Sequence, residues 1–155
     1  MKITLLVVGK TTSAELIRLT DEYVGRLRHY VPFEITVQPK LRNTRNLSET
    51  QQKEQEGEAI LRAAEGQFLI LLDEHGKEYR SIDFAAQLQR WMNSGRNITF
   101  VVGGPYGFSQ AVYARADAQI SLSKMTFSHQ MIRLLFTEQL YRAFTILRGE
   151  PYHHE

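Results

Sequence analysis

A continuous apolar run, Ile98–Val102, ends directly at a glycine-rich segment, residues 103–107 (Gly-Gly-Pro-Tyr-Gly), and these two features constrain the fold most. Such a run predicts a strand covered on both faces, which is typical of a parallel sheet. Glycines just after a strand let bare backbone approach a ligand at the carboxyl edge of an open α/β sheet. The same glycines could instead form only a strand-ending turn, so both interpretations stay open.

Predicted strands and helices alternate along the whole chain. We expect strands at residues 1–8, 33–37, 68–72, 98–102 and 119–121, and helices at residues 14–29, 48–64, 82–92 and 130–148, with a short helix after Ser109. Ser13 is the expected N-cap of the first helix, and residues 48–51 resemble a capping box. The run 68–72 is predicted to be a central strand. This order indicates a single α/β domain, residues 1–155, with a parallel sheet flanked by helices.

Composition excludes several classes of function. The chain has no cysteine, which rules out disulfides and thiolate chemistry and agrees with a cytoplasmic protein. The apolar run near the start is too short for a signal peptide or a membrane span, so no membrane partner is expected. With a formal net charge of only +2, the chain lacks a highly basic coat. An RNA partner would therefore be selected by a local groove and by shape.

The last predicted helix, residues 130–148, has apolar side chains around most of its circumference. A helix that lies on one sheet needs only a single apolar stripe. The excess favours a second burial surface, namely a homodimer contact across a two-fold axis. The alternative is a helix wedged between other elements of the same chain.

The ends of three predicted strands should build one pocket. Leu72, Gly103 and the segment 122–127 stand at the ends of predicted strands, and the carboxyl ends of parallel strands lie at the same edge of a sheet. Residues 103–107 are not followed by Gly-Lys-Ser/Thr and do not form Gly-x-Gly-x-x-Gly, so a P-loop or a standard dinucleotide site is not expected.

Several polar residues have both a functional and a structural interpretation. His129 begins the last helix near the predicted pocket, where it is either catalytic or a capping residue. Arg142 lies one helical turn after Glu138 and either pairs with it or binds a phosphate or the substrate. The basic loop 40–45 is either a solvated face or an RNA contact.

Two histidine-containing segments are expected at the surface. His75, with Asp73 and Glu74, is placed on a surface loop. Residues 153–155 (His-His-Glu) favour a solvated terminus over a metal site, because adjacent histidines on an extended tail point in opposite directions.

Motifs along the chain resemble those of a known family. They are Phe-Val-Val-Gly-Gly at 100–104, Leu-Ser-Lys-Met-Thr-Phe at 122–127, His-Gln at 129–130, Tyr-Arg-Ala at 141–143 and Arg-Gly-Glu-Pro-Tyr-His at 148–153, with the opening residues 1–10 and Leu-Leu-Asp at 71–73. The chain closely resembles the ribosomal RNA large subunit methyltransferase H family, small bacterial members of the SPOUT superfamily. The likeness covers the whole chain.

The resemblance implies a C-terminal trefoil knot, an exception to the rule that chains do not thread. It implies a homodimer, without metal, that transfers a methyl group from S-adenosyl-L-methionine to N3 of a pseudouridine in 23S ribosomal RNA, on the large subunit or the whole ribosome. One subunit would hold the donor while the partner's tail positions the RNA. Cofactor contacts are implied for Leu72, Gly103, Leu122, Ser123, Lys124, Met125, Thr126 and Phe127. Catalytic and substrate-side roles are implied for His129, Arg142, Tyr152 and His153.

Two positions depart from the family pattern. Ser128 stands where proline is common, which predicts a less rigid loop, and His154 stands where Lys or Arg is common, which would make a tail contact with phosphate depend on pH. Three other functions remain as alternatives. They are another SPOUT activity such as transfer-RNA ribose methylation, a nucleotide- or RNA-binding module without turnover, and a structural dimerisation protein.

Overall fold

A computed structural model of the chain describes residues 1–154. Five strands are present: β1 (Ile3–Val8), β2 (Phe33–Gln38), β3 (Phe68–Glu78), β4 (Ile98–Val102) and β5 (Ala118–Ser121). Five α-helices alternate with them: α1 (Ala14–Leu27), α2 (Glu49–Ala63), α3 (Ser81–Met92), α4 (Gln110–Arg115) and α5 (His129–Leu147). A single turn of 3-10 helix, Thr44–Asn46, precedes α2. The predicted elements are therefore confirmed, with ends that differ by a few residues except in β3.

The strands form one sheet in the order β2-β1-β4-β3-β5, and every pairing is parallel. Phe100 of β4 pairs with Leu5 on one side and with Ile70 on the other. The central strand is thus β4, and the prediction that residues 68–72 are central is wrong by one position. The predicted covering of that strand on both faces is confirmed, since Leu69 to Leu71 are fully buried.

Helices cover both faces of the sheet. Helices α1, α3 and α5 pack together on one face, and α2 packs against α4 on the other. The first layer buries Phe100 and Phe136, whose ring centroids lie 4.7 Å apart. The second layer buries Leu6, Leu71 and Val101. Alternate residues of each strand thus enter different cores, which explains why the strand sequences are continuously apolar.

The helix α5 lies between α1 and α3 and also contacts β4. Three neighbours within one chain therefore account for much of its apolar circumference, as the wedged alternative requires. Some apolar surface remains uncovered, since Met131 is 41% exposed and Leu134 and Leu135 are only half-buried. The homodimer stays a prediction at this stage.

The strand β3 differs most from expectation, because it continues beyond Leu72 to Glu78. Leu72 and Lys77 both pair with Ile120, so residues 73–76 bulge out of the ladder. The bulge needs Gly76, because a Cβ atom there would lie 2.5 Å from the backbone carbonyl carbon of Ile120. A strand that ends at Leu72 is therefore wrong, and the predicted loop is a bulge pressed against β5.

None of the helices within residues 1–154 is long and apolar enough to cross a membrane. The trefoil knot stays a prediction, since strand pairing alone does not define how a chain threads.

Candidate active site

The bulge of β3 and the carboxyl ends of β4 and β5 surround a cavity of about 370 Å³. This volume lies in the range of about 300–1,000 Å³ that is usual for small-molecule sites. Its lining includes Leu72, Gly103, Leu122, Ser123, Met125, Thr126, Phe127 and His129. The predicted convergence on one cavity is confirmed for the ends of β4 and β5, whereas β3 contributes Leu72 and its bulge, because that strand does not end at Leu72. Of the residues expected to contact a cofactor, Lys124 is exposed and is not in the lining.

The glycines after β4 serve two purposes. Gly107 has a φ of +80°, so it makes the turn. Gly104 instead allows close packing, because a Cβ atom there would lie 2.5 Å from Oε1 of Glu56 in α2. Gly103 is similarly tight, with the ring of Phe108 3.0 Å from the position of a Cβ atom. Burial raises the pKa of the Glu56 carboxyl beneath this loop.

The segment 122–127 is held by serine side chains. Ser121 Oγ donates to the Ser123 carbonyl at 2.8 Å, and the Met125 amide donates to Ser123 Oγ at 2.9 Å. Ser128 is the N-cap of α5, and its Oγ accepts from the Met131 amide at 3.1 Å. The residue that departs from the family pattern therefore begins the helix through a specific hydrogen bond. These contacts leave the Phe127 side chain 38% exposed at the cavity.

Asp73 is a site residue that sequence reasoning placed at the surface. Its side chain lines the cavity and is only 9% exposed, whereas His75 is 77% exposed as expected. The Tyr113 hydroxyl donates to Asp73 Oδ1 at 3.1 Å. Burial, followed by the Asp73 charge, raises the pKa of Tyr113 to about 12, so the phenol stays a proton donor. The available signal was an acidic residue placed immediately after a buried strand.

His129 lies at the rim of the cavity, at the start of α5. Burial lowers its pKa, and the nearby positive charge of Arg133 lowers it further. The neutral imidazole is therefore favoured at neutral pH, and a neutral imidazole can accept a proton. The capping alternative belongs to Ser128, one residue earlier.

Arg133 joins the start of α5 to the carboxyl end of β1. Its Nη2 donates to the Val8 carbonyl at 2.9 Å, and its Nη1 donates to the Gly9 carbonyl at 2.9 Å and to Thr11 Oγ1 at 3.0 Å. The side chain is 2% exposed. Sequence reasoning missed this role, because the partners lie more than 120 residues away along the chain.

The C-terminal tail folds onto α5. Arg142 Nη2 lies 2.5 Å from Glu138 Oε1, which confirms the predicted ion pair, and Arg142 Nη1 lies 3.1 Å from His153 Nδ1. The Tyr152 hydroxyl donates to the same Glu138 oxygen at 3.0 Å. Burial is the main cause that raises the pKa of Tyr152. A solvated terminus is therefore wrong for His153, which is half-buried, while His154 is exposed and Glu155 lies outside the described residues.

The predicted catalytic residues fall into two separate groups. His129 adjoins the cavity, whereas Arg142 joins Tyr152 and His153 at the other end of α5. A rise of about 1.5 Å per residue puts His129 and Arg142 roughly 20 Å apart along one helix. A single chain therefore does not bring the two groups together.

A second cavity, of about 280 Å³, lies between these groups. It shares Ile120, Ser121, Leu122 and Phe127 with the first cavity and extends to Glu138. The two cavities thus adjoin each other beside α5. Within residues 1–154, no three His, Cys, Asp or Glu side chains are grouped so that they could hold a metal ion.

Comparison with known proteins gives matches over the full chain. The family model described as "Predicted SPOUT methyltransferase" matches residues 1–153. A ribosomal RNA large subunit methyltransferase H from Parabacteroides distasonis is 58% identical over 100% of both chains. A protein of the same name from Christiangramia forsetii is 56% identical over 99% of both.

Solved structures share the fold at low identity. A tRNA methyltransferase from Aquifex aeolicus matches with a TM-score of 0.58 and 14% identity, covering 100% of this chain and 76% of that one. A probable methylase family protein from Haemophilus influenzae matches with a TM-score of 0.59 and 11% identity, covering 99% of this chain and 70% of that one. At these identities the likeness concerns the fold alone.

Proposed function

The chain belongs to the SPOUT methyltransferase family, and we propose that it uses S-adenosyl-L-methionine to methylate N3 of a pseudouridine in 23S ribosomal RNA. The relatives named as ribosomal RNA large subunit methyltransferase H, at 58% and 56% identity, support the RNA substrate. The enzyme would act in the cytoplasm as a homodimer, on the large subunit or the assembled ribosome.

The observation that carries the proposal is the convergence of Leu72, Gly103 and the segment 122–127 on one cavity. The residues present fit the donor, because glycines line one side of the cavity and Leu72, Leu122 and Phe127 give it an apolar wall. Those residues would hold the donor, which supplies a methyl group on positively charged sulfur. Transfer of that methyl group from sulfur to N3 would leave the donor as a neutral thioether.

The chain's own contribution is mainly to position the reactants. Methyl transfer is an in-line displacement, so holding the donor carbon against the acceptor nitrogen removes much of the entropic barrier. The acceptor N3–H must also lose its proton. His129 is the best placed of the predicted catalytic residues to take that proton, because its neutral imidazole adjoins the cavity. Arg142 would stabilise negative charge on the base or on an RNA phosphate.

A two-fold dimer would complete the site. Within one chain His129 and Arg142 are roughly 20 Å apart, so both can serve one acceptor only if the tail comes from the partner subunit. The second cavity, beside α5, and the half-buried Leu134 and Leu135 support such a contact.

Mixed dimers test the shared site. One subunit carries a bulky residue at Gly103 to block the donor cavity, and the other lacks residues 151–155. Each parent homodimer should be inactive, whereas the mixed dimer should keep one working site. A mixed dimer as inactive as both parents would refute the sharing of a site between subunits.

Methyl incorporation tests the activity itself. Ribosomes from a strain that lacks this modification should accept labelled methyl groups at one pseudouridine, which can be mapped, whereas bulk transfer RNA should not. Transfer to transfer RNA alone would favour another SPOUT activity. Tight donor binding without incorporation into either substrate would favour a binding module.

A further inference from the structure

We propose that Asp73 recognises the positive charge of the methyl donor, and so distinguishes the donor from uncharged nucleosides. The inference rests on the proposed function, because it takes the cavity at the carboxyl edge of the sheet to be the donor site. The sequence patterns placed this residue on a surface loop, and the bulge in β3 brings it into the cavity.

The carboxylate of Asp73 has only one of its two oxygens hydrogen-bonded within the described residues. Asp73 Oδ1 accepts a hydrogen bond from Tyr113, but Oδ2 is buried and has no hydrogen-bond partner among residues 1–154. The nearest basic side chain is the exposed His75, whose Nδ1 lies 3.6 Å from Oδ2, beyond hydrogen-bond distance. Leaving a buried hydrogen-bond acceptor without a partner costs free energy of folding. Because Asp73 Oδ2 lies at a ligand cavity, we infer that a bound ligand supplies the missing partner.

The charged side chains that line the cavity are acidic. The cavity lining contains two acidic side chains, Asp73 and Glu74, two histidines, His75 and His129, and neither lysine nor arginine. Burial and Arg133 keep His129 in its neutral form. The wall is therefore acidic and suits a ligand with a net positive charge. The methyl donor carries a sulfonium and an ammonium against a single carboxylate, so its net charge has this sign.

The arrangement also has a consequence for turnover. The sulfonium charge disappears when the methyl group leaves, because sulfur keeps the electron pair of the broken bond. A carboxylate that faces sulfur therefore attracts the donor more strongly than the product. Recognition of the ammonium group would instead hold donor and product equally, and binding measurements separate the two.

The test is calorimetric binding to the full-length protein, which does not depend on activity. The ligands are S-adenosylmethionine, S-adenosylhomocysteine, which lacks the sulfonium, and methylthioadenosine, which lacks both cations but keeps adenine and ribose. Asp73→Asn should weaken the binding of S-adenosylmethionine by about 10- to 100-fold, as expected for the loss of a buried carboxylate that contacts a cation. The affinity for methylthioadenosine should change by less than about threefold, since the asparagine amide keeps the shape of the side chain and can still accept a hydrogen bond from Tyr113.

S-adenosylhomocysteine identifies the cation. If Asp73→Asn weakens the binding of S-adenosylmethionine and of S-adenosylhomocysteine equally, Asp73 contacts the ammonium group. If it weakens the binding of S-adenosylmethionine alone, Asp73 contacts the sulfonium. Either result supports recognition of positive charge. An unchanged affinity for S-adenosylmethionine, or an equal loss for methylthioadenosine, would overturn it.

Glu74→Gln is the matched control, because it removes the same charge from the adjacent, 69% exposed side chain. Its effect should be several-fold smaller, and an equal effect would show a diffuse field instead of a contact, against the proposal. Asp73→Ser repeats the test should the asparagine variant not fold. Wild-type protein that binds none of the ligands would refute the proposed function, whereas wild-type binding with unaffected variants would refute only this inference.

Discussion

The Tyr152 hydroxyl donates to Oε1 of Glu138 at 3.0 Å, so a residue of the tail is tied to the middle of α5. The same oxygen lies 2.5 Å from Nη2 of Arg142, whose guanidinium lies 4.7 Å from the centre of the Tyr152 ring. One carboxylate oxygen thus organises the residues for which a substrate-side role is proposed. The tail is therefore arranged by its own subunit before any RNA binds.

Glu138→Gln should loosen the tail. The amide keeps the shape of the side chain but loses the ion pair with Arg142, which should lower the free energy of unfolding by about 1 kcal/mol. Amide exchange near Tyr152 should rise, and the KM for ribosomes should increase more than kcat falls. Unchanged exchange in the tail would contradict the anchoring role of Glu138.

Arg133→Lys should destabilise the protein although lysine retains the positive charge. A lysine cannot reproduce the fork that binds the Val8 and Gly9 carbonyls together, so buried acceptors lose their partner. We expect a loss of about 2–4 kcal/mol in denaturant unfolding. Arg18→Lys, on the exposed face of α1, is the control and should change stability by less than about 0.5 kcal/mol. Equal stabilities for the two variants would show that the fork is unimportant.

Gly76→Ala should damage both the fold and donor binding. The added Cβ would lie 2.5 Å from the backbone carbonyl carbon of Ile120, so β5 must shift at the edge of the cavity. The free energy of unfolding should fall by about 2–4 kcal/mol, and calorimetry should show weaker binding of the donor.

Gly25→Ala is the opposite case, because nothing lies within 4 Å of its Cβ position in α1. The free energy of unfolding of this variant should rise by about 0.5–1 kcal/mol, because alanine has a higher helix propensity than glycine. The contrast fails if both alanine variants change stability in the same direction.

The pKa of His129 predicts a dependence of stability on pH. The folded protein holds this group below its ordinary pKa of 6.5, chiefly through burial and then through Arg133. The unfolded chain therefore binds more protons as the pH falls below about 6.5, and stability is lost there. His129→Gln should reduce the loss of stability between pH 7.5 and pH 5.5, with little effect at pH 7.5. An NMR titration midpoint of His129 above 6.5 would contradict the prediction.

Ser128→Pro should be nearly neutral. Ser128 has a φ of −63°, which proline adopts without strain, and the gain in rigidity offsets the lost cap to Met131. Ser128→Ala loses the cap alone and should cost about 1 kcal/mol. Thermal unfolding of both variants measures the difference, and a proline variant less stable than the alanine variant would refute this account.

Sequence reasoning predicted the strands, the helices, the caps at Ser13 and Ser48 and the convergence of Leu72, Gly103 and the segment 122–127 on one cavity. These features follow from local patterns, because the period of apolar residues and the hydrogen bonds of a cap depend on near neighbours in the chain. The parallel arrangement then required the carboxyl ends to share an edge.

Only the tertiary structure decided the bulge in β3, the burial of Asp73, the fork of Arg133 and the docking of Tyr152 on Glu138. Arg133 meets the Val8 and Gly9 carbonyls across more than 120 residues, and Gly76 matters because another strand's backbone lies against it. The partners of a buried polar group are set by the packing of distant segments. No local periodicity encodes which segments those are, so sequence patterns located the cavity but not the charges and contacts within it.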